Sequence, residues 1–179
     1  MTLNRFLSLC LILILVGTIW ATPPTTVDRV DLSRYLGTWY EVARLPNPFE
    51  PVDATQIMAT YSQNSDGFIR VENQYTRKGK IDKVTGVARI EDRKSNAKLA
   101  VSFFDILGYR PIWGDYWILG IGPNYTYSVV GDRARKYAWI LSRTSEMSSQ
   151  NMAAAVGILK QNGYDTQPLI YPKNGDRRD

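Results

Sequence analysis

Between residues 37 and 143 the chain shows no helical periodicity. Turn-forming clusters cut it into short apolar or alternating runs, and this constrains the fold more than any other feature. The runs cover residues 37–45, 55–62, 68–75, 81–91, 97–104, 115–121, 125–130 and 137–143. Asn64-Ser65-Asp66-Gly67 is a tight hairpin signal, because Asp-Gly supplies the positive φ such turns need. A polar turn spans 92–96, Gly122-Pro123-Asn124 makes another, and a longer loop holds Gly108, Pro111 and Gly114. The lack of helical connections argues against parallel βαβ crossovers, so successive strands are expected to pair antiparallel. Eight such strands lose their exposed edges by closing on themselves, and a barrel of that size holds its own side chains plus one small ligand. The expected fold is therefore all-β, an eight-stranded antiparallel up-and-down barrel.

Alternation assigns the faces. Ile57, Ala59 and Tyr61 oppose Gln56 and Thr60. Ile69, Val71, Asn73 and Tyr75 oppose Arg70, Glu72 and Gln74. Val84, Gly86, Ala88 and Ile90 oppose Lys83, Thr85 and Arg89, and Leu99, Val101 and Phe103 oppose Lys98 and Ser102. The first-named sets are expected to point inward, and the small Ala59, Gly86 and Ala88 leave room there. The first strand and the last three are apolar on both faces. Their outer faces are expected to lie under a helix, for which Met152, Ala155, Val156 and Leu159 supply a stripe. Ser148 and Ser149 are its candidate caps and Gly163 its stop. A last short strand is expected at 169–171.

The ends read differently. Arg5, the apolar stretch 6–20 and the small Ala21 have the form of a secretory signal, with an uncleaved anchor as the alternative. The stretch is shorter than the ~20 residues that span a bilayer. Residues 22–30 are expected to be a linker, 31–172 the folded domain and 173–179 a disordered polar tail. Cys10, the only cysteine, follows Leu9 rather than a small residue, so no lipidation signal is clear and the mature chain would hold no thiol. There is no histidine, which excludes His-dependent triads, His–metal sites and His-ligated haem. No metal or cofactor is expected. The net charge of +5 falls to +4 when Arg5 leaves, and the charges are interspersed. A basic cluster at 132–136 reads as a solvated loop rather than a nucleic-acid site.

Leu36-Gly37-Thr38-Trp39-Tyr40-Glu41-Val42-Ala43-Arg44 resembles the Gly-x-Trp-Tyr motif of lipocalins, and its continuation Leu45-Pro46-Asn47-Pro48-Phe49-Glu50 is similar to the bacterial lipocalin and apolipoprotein D branch. Tyr137-Ala138-Trp139-Ile140-Leu141-Ser142-Arg143-Thr144 resembles the last strand of that branch, and Gly163-Tyr164-Asp165 is a third match. Residue chemistry gives the pair a structural role: Trp39 can plug one end, Gly37 lets the chain pass close by, and Arg143 can lie on the indole and cap carbonyls of residues 31–36. The resemblance implies a binding site at the other, open end. There, Phe49 on the 46–53 loop either covers the mouth or simply packs on its neighbours. The cavity set is Ile57, Ala59, Tyr61, Ile69, Val71, Asn73, Tyr75, Val84, Val101, Phe103, Tyr116, Ile118, Tyr137 and Trp139. Apolar walls with a few phenol and indole tips suit an amphiphile, although the same residues can fill the barrel as core. The implied function is carriage of a fatty acid, lysophospholipid or similar lipid by a monomer or weak dimer, exported to periplasm or medium, with contact to a membrane surface left open. The alternatives are another apolar cargo (a pigment, sterol or signalling molecule) and carboxylate catalysis by Glu41, which shares the parity of Trp39; the competing reading has Glu41 meeting an internal Arg, Tyr or water, or sitting near a rim. The cysteine pairs of many relatives are absent.

Overall fold

A computed structural model describes residues 22–174. The leader, Cys10 and residues 175–179 lie outside that range. Eight strands, β1 Gly37–Arg44, β2 Thr55–Gln63, β3 Ile69–Arg77, β4 Lys80–Ile90, β5 Lys98–Ser102, β6 Gly114–Ile121, β7 Tyr127–Gly131 and β8 Ala138–Ser142, form a closed barrel in sequence order. Every neighbouring pair is antiparallel, including β1 with β8, which closes the circle. Loops β1–β2, β3–β4, β5–β6 and β7–β8 therefore share one end, and the other three share the opposite end with residues 30–36.

Two apolar clusters divide the molecule. One fills the barrel around Trp39, Tyr61, Val71, Leu99, Ile118 and Val130. The other lies between the outer faces of β1 and β6–β8 and the helix α2, Ser149–Gln161, which buries Ala155 and Leu159 against Trp117, Leu119, Val129 and Ile140. The strands that are apolar on both faces are thus the ones the helix covers, as expected. Ser148 caps α2 by accepting the Asn151 amide, at 3.2 Å, while Ser149 is already helical.

The structure corrects several boundaries. The 97–104 strand stops at Ser102, because its hydroxyl turns back to the Phe104 carbonyl at 3.2 Å and leaves Phe103 and Phe104 outside the ladder. The seventh strand starts at Tyr127, since Pro123–Tyr125 forms a 3₁₀ turn with Asn124 at φ 55°. Tyr137 precedes β8 and Arg143 follows it. The 169–171 strand reduces to one bridge between Ile170 and Arg44. An unexpected four-residue helix, α1 Leu32–Tyr35, is capped by Asp31, whose carboxylate accepts the amides of Ser33 and Arg34. Nor are the flanks free of the barrel. Val27 and Val30 donate backbone hydrogen bonds to Ile118 and Ser95. Asn174, expected in a disordered tail, is buried, accepts the Ile57 amide at 3.1 Å and donates to the Glu41 carbonyl.

Candidate functional site

One end of the barrel is sealed from its own residues. Trp39 is fully buried and its indole N–H donates to the Tyr35 carbonyl at 2.8 Å. Arg143 lies over the indole, 3.6 Å from the ring centroid, and donates to the carbonyls of Thr38, Arg34, Tyr35 and Leu36. Gly37 sits at φ +93°, and a side chain there would reach the Arg143 guanidinium at 3.5 Å. Tyr40 is half-buried, on the opposite face of β1 from Trp39.

Above this plug is a chain of hydroxyls. Tyr116 shares hydrogen bonds of 2.9 Å with both Tyr35 and Tyr61, and Tyr35 shares one of 3.0 Å with Ser128. Burial pushes the Tyr35 phenol up to about 12 and raises Tyr61 and Tyr116 as well, so all three stay neutral. Tyr61 and Tyr116, two of the polar tips assigned to a ligand head, thus satisfy each other and belong to the floor. Ile69, Val71 and Ile118 are buried beside them in the same cluster. Tyr35 and Ser128 were not singled out from sequence, because only the folding of α1 under the barrel brings that phenol inside.

The rest of the inward set lies toward the open end. Trp39, Ala59, Asn73 and Val84 follow one another across directly paired positions, so they share the inner face, as do Tyr61, Val71 and Gly86. Val84 is 44% exposed and Phe103 38%, and Tyr75, Val101 and Trp139 are half-buried. Phe103 fills the space that Gly86 leaves: a Cβ on Gly86 would meet its ring at 2.6 Å. Ile57 is buried. The Asn73 side-chain oxygen is buried without a hydrogen-bond partner. Phe49 packs its edge on Tyr137, with centroids 5.1 Å apart, and Tyr137 lies 6.3 Å from Trp139.

A buried Arg44–Glu41 hydrogen bond inside the barrel ties the β1–β2 loop down. The β1–β8 ladder slips between Glu41 and Ala43, so Glu41 and Arg44 both turn inward while Val42 and Ala43 face the helix side. Arg44 donates from Nη1 to Glu41 at 2.7 Å and from Nη2 to the Pro51 carbonyl at 2.9 Å, and its Nε lies 3.7 Å from the Glu50 carboxylate. Burial, helped by Glu50, pushes Glu41 up to about 8, although Arg44 pulls the other way. Arg44 was missed from sequence. Strict alternation would put it on the outer face, and only the bulge reverses that.

Comparison with known proteins agrees with this geometry. The family model of the lipocalin-like domain matches residues 30–174. The chain is 39% identical over 146 residues to temperature-induced lipocalin-1 of Arabidopsis thaliana, covering 80% of this chain and 78% of that protein. It is 34% identical over 155 residues to the outer membrane lipoprotein Blc of Escherichia coli K12, covering 84% of each. Apolipoprotein D of Macaca fascicularis is 31% identical over 155 residues, or 83% of this chain and 79% of that one. Insecticyanin from the tobacco hornworm Manduca sexta superposes with a TM-score of 0.70 over 87% of this chain and 86% of its own, at 20% identity, and so shares the fold. A sealed Trp39–Arg143 end, a closed eight-stranded meander and these matches over most of its length make the chain a member of the lipocalin family.

Proposed function

We propose that this protein is a carrier that holds one acyl lipid, a fatty acid or lysophospholipid, in the open half of its barrel. The family to which it belongs binds small hydrophobic ligands. The carrying observation is the uneven inner face. Its floor is closed and internally satisfied, whereas Val84, Val101, Phe103 and Trp139 present half-open apolar walls above it. Such walls suit an acyl chain. The unpartnered Asn73 oxygen and the Tyr75 phenol supply polar contacts for a head group. A carrier rather than a catalyst is favoured because Glu41, the buried carboxylate near the site, is occupied by Arg44. The same reading places the protein outside the cytoplasm, in keeping with Arg5, the apolar stretch 6–20 and relatives that include an outer membrane lipoprotein.

Native mass spectrometry of the protein purified from its own cells, followed by lipid extraction, tests the cargo. One acyl lipid per barrel is the expected result. Trp139 should also report titration with fatty acid or lysophospholipid through its fluorescence. A bare barrel that shows no fluorescence response to either lipid overturns the reading.

A further inference from the structure

β1 and β2 do not pair along their whole length. Their ladder runs only from Gly37–Tyr61 to Tyr40–Met58. The next rung in that register would set Glu41 opposite Ile57, but the strands part there. Each is bent at that point for a local reason. The β1–β8 ladder slips between Glu41 and Ala43, and the β2–β3 ladder slips between Thr55 and Met58, where Gln56 stands at φ 52°.

Residues 170–174 fill the gap. Ile170 exchanges both backbone hydrogen bonds with Arg44, at 3.0 and 2.8 Å, and the Lys173 carbonyl accepts the Gln56 amide at 3.1 Å. The Asn174 side chain takes the place of the missing rung. Its Oδ1 accepts the Ile57 amide at 3.1 Å and its Nδ2 donates to the Glu41 carbonyl, so one primary amide joins the two strands as a peptide group would. Behind this stretch of wall lie the Glu41 and Arg44 side chains, which the bulge turns into the barrel.

Elsewhere strand ladders make the wall. Here, among the described residues, five hydrogen bonds hold a segment that packs little. Tyr171 and Lys173 are exposed, Ile170 and Pro172 are half-buried, and only Asn174 is buried. A groove of about 240 Å³ runs between residues 170–173 and residues 52–55. A short segment with so few apolar contacts opens locally at far less cost than unfolding the barrel.

We infer that residues 170–174 are a detachable strap across a side window of the barrel. When Asn174 releases Glu41 and Ile57, the wall opens between β1, β2 and the 45–54 loop that joins them. Two strands with one segment between them stand about 10 Å apart, which leaves room for a single acyl chain. A fatty acid or lysophospholipid then passes end-on through the wall while Phe49 stays in place on Tyr137. That passage rests on the carrier reading; the opening of the wall does not.

Amide exchange of the full chain, followed residue by residue, tests the opening. The Gln56 and Ile57 amides are expected to exchange together, at least ten-fold faster than the amides that β2 donates within its ladders. Asn174→Ala should speed both by a further ten-fold or more and leave the amides around Trp39 unchanged. The wild-type pattern decides the strap even if the variant folds poorly. Fatty-acid release, read from Trp139 fluorescence, should be several-fold faster in Asn174→Ala. Parallel exits add their rates, so the increment should be the same with Phe49 present or in Phe49→Ala. Exchange of Gln56 and Ile57 only on global unfolding overturns the strap. Unchanged release in a folded Asn174→Ala overturns the window. So do release rates that multiply rather than add, which would make Asn174 a brace for the 46–53 loop over a single exit. A wild-type protein that takes up no fatty acid, yet opens at Gln56 and Ile57, would keep the strap and remove the cargo reading instead.

Discussion

The sealed and open ends are built from similar residue types used in opposite ways. At the sealed end Trp39, Arg143 and the Tyr35–Tyr116–Tyr61 chain leave little unspent: indole N–H, guanidinium and phenols all find partners within the chain. At the open end aromatic and aliphatic side chains stay exposed, the Asn73 oxygen goes unpartnered, and Leu107 sits fully exposed on a turn with positive φ. Satisfied groups stabilise, and unsatisfied ones remain available for binding. The difference implies that changes at the sealed end register mainly as stability, and changes at the open end mainly as binding.

The largest expected effect breaks the plug. Trp39→Ala removes a fully buried indole and should cost about 3–5 kcal/mol in chemical denaturation. Arg143→Met is expected to cost about 2 kcal/mol, since it leaves several carbonyls without a charged donor while keeping a side chain over the indole. The near-ultraviolet circular dichroism of Trp39 should change with it. Glu41 gives a pH signature. Its carboxyl titrates near 8 in the folded protein and near 4.5 when unfolded, so between these values the native state holds a proton that the unfolded state has lost. Its contribution is complete below 4.5 and declines as pH rises to 8, by at most about 1.4 kcal/mol per pH unit. Glu41→Gln keeps an acceptor for Arg44. It should flatten the stability profile across that window and be the more stable form at pH 8. The smallest effect on stability belongs to Phe49→Ala, about 0.5 kcal/mol or less, because that ring is exposed and touches Tyr137 only by its edge. Its expected signature is several-fold faster release of bound lipid in stopped-flow fluorescence. A large stability loss with unchanged release would reverse the contrast between the two ends.

Much of the sealed end was legible, because a Gly-x-Trp-Tyr motif and an Arg about 100 residues later name both partners, and indole and guanidinium have few other ways to satisfy each other. Strand order was legible for a similar reason: Asp66-Gly67 and the other turn clusters fix where the chain reverses, and alternation in β2–β5 fixes the faces. The open half was read less well. Fourteen residues were assigned to one cavity, yet the structure divides them between a floor and a mouth. Tyr61 and Tyr116 went to the floor because Tyr35 arrives from α1 to bond Tyr116. Phe103 left its strand because β5 ends one residue earlier.

Taken alone, the sequence determined the seven reversals, the inward faces of the alternating strands, the helix with a serine cap, and the pairing of Trp39 with Arg143. All of these follow from local pattern or from chemistry with a single good solution. The tertiary structure alone decided the rest. The bulge after Glu41 depends on how β8 runs beside β1, so only the closed barrel could turn Arg44 inward. Asn174 acquires its role from the Ile57 amide and the Glu41 carbonyl, more than a hundred residues away. The gathering of exposed apolar side chains at one pole follows from strand direction, because four loops far apart in sequence meet only when an even number of antiparallel strands closes.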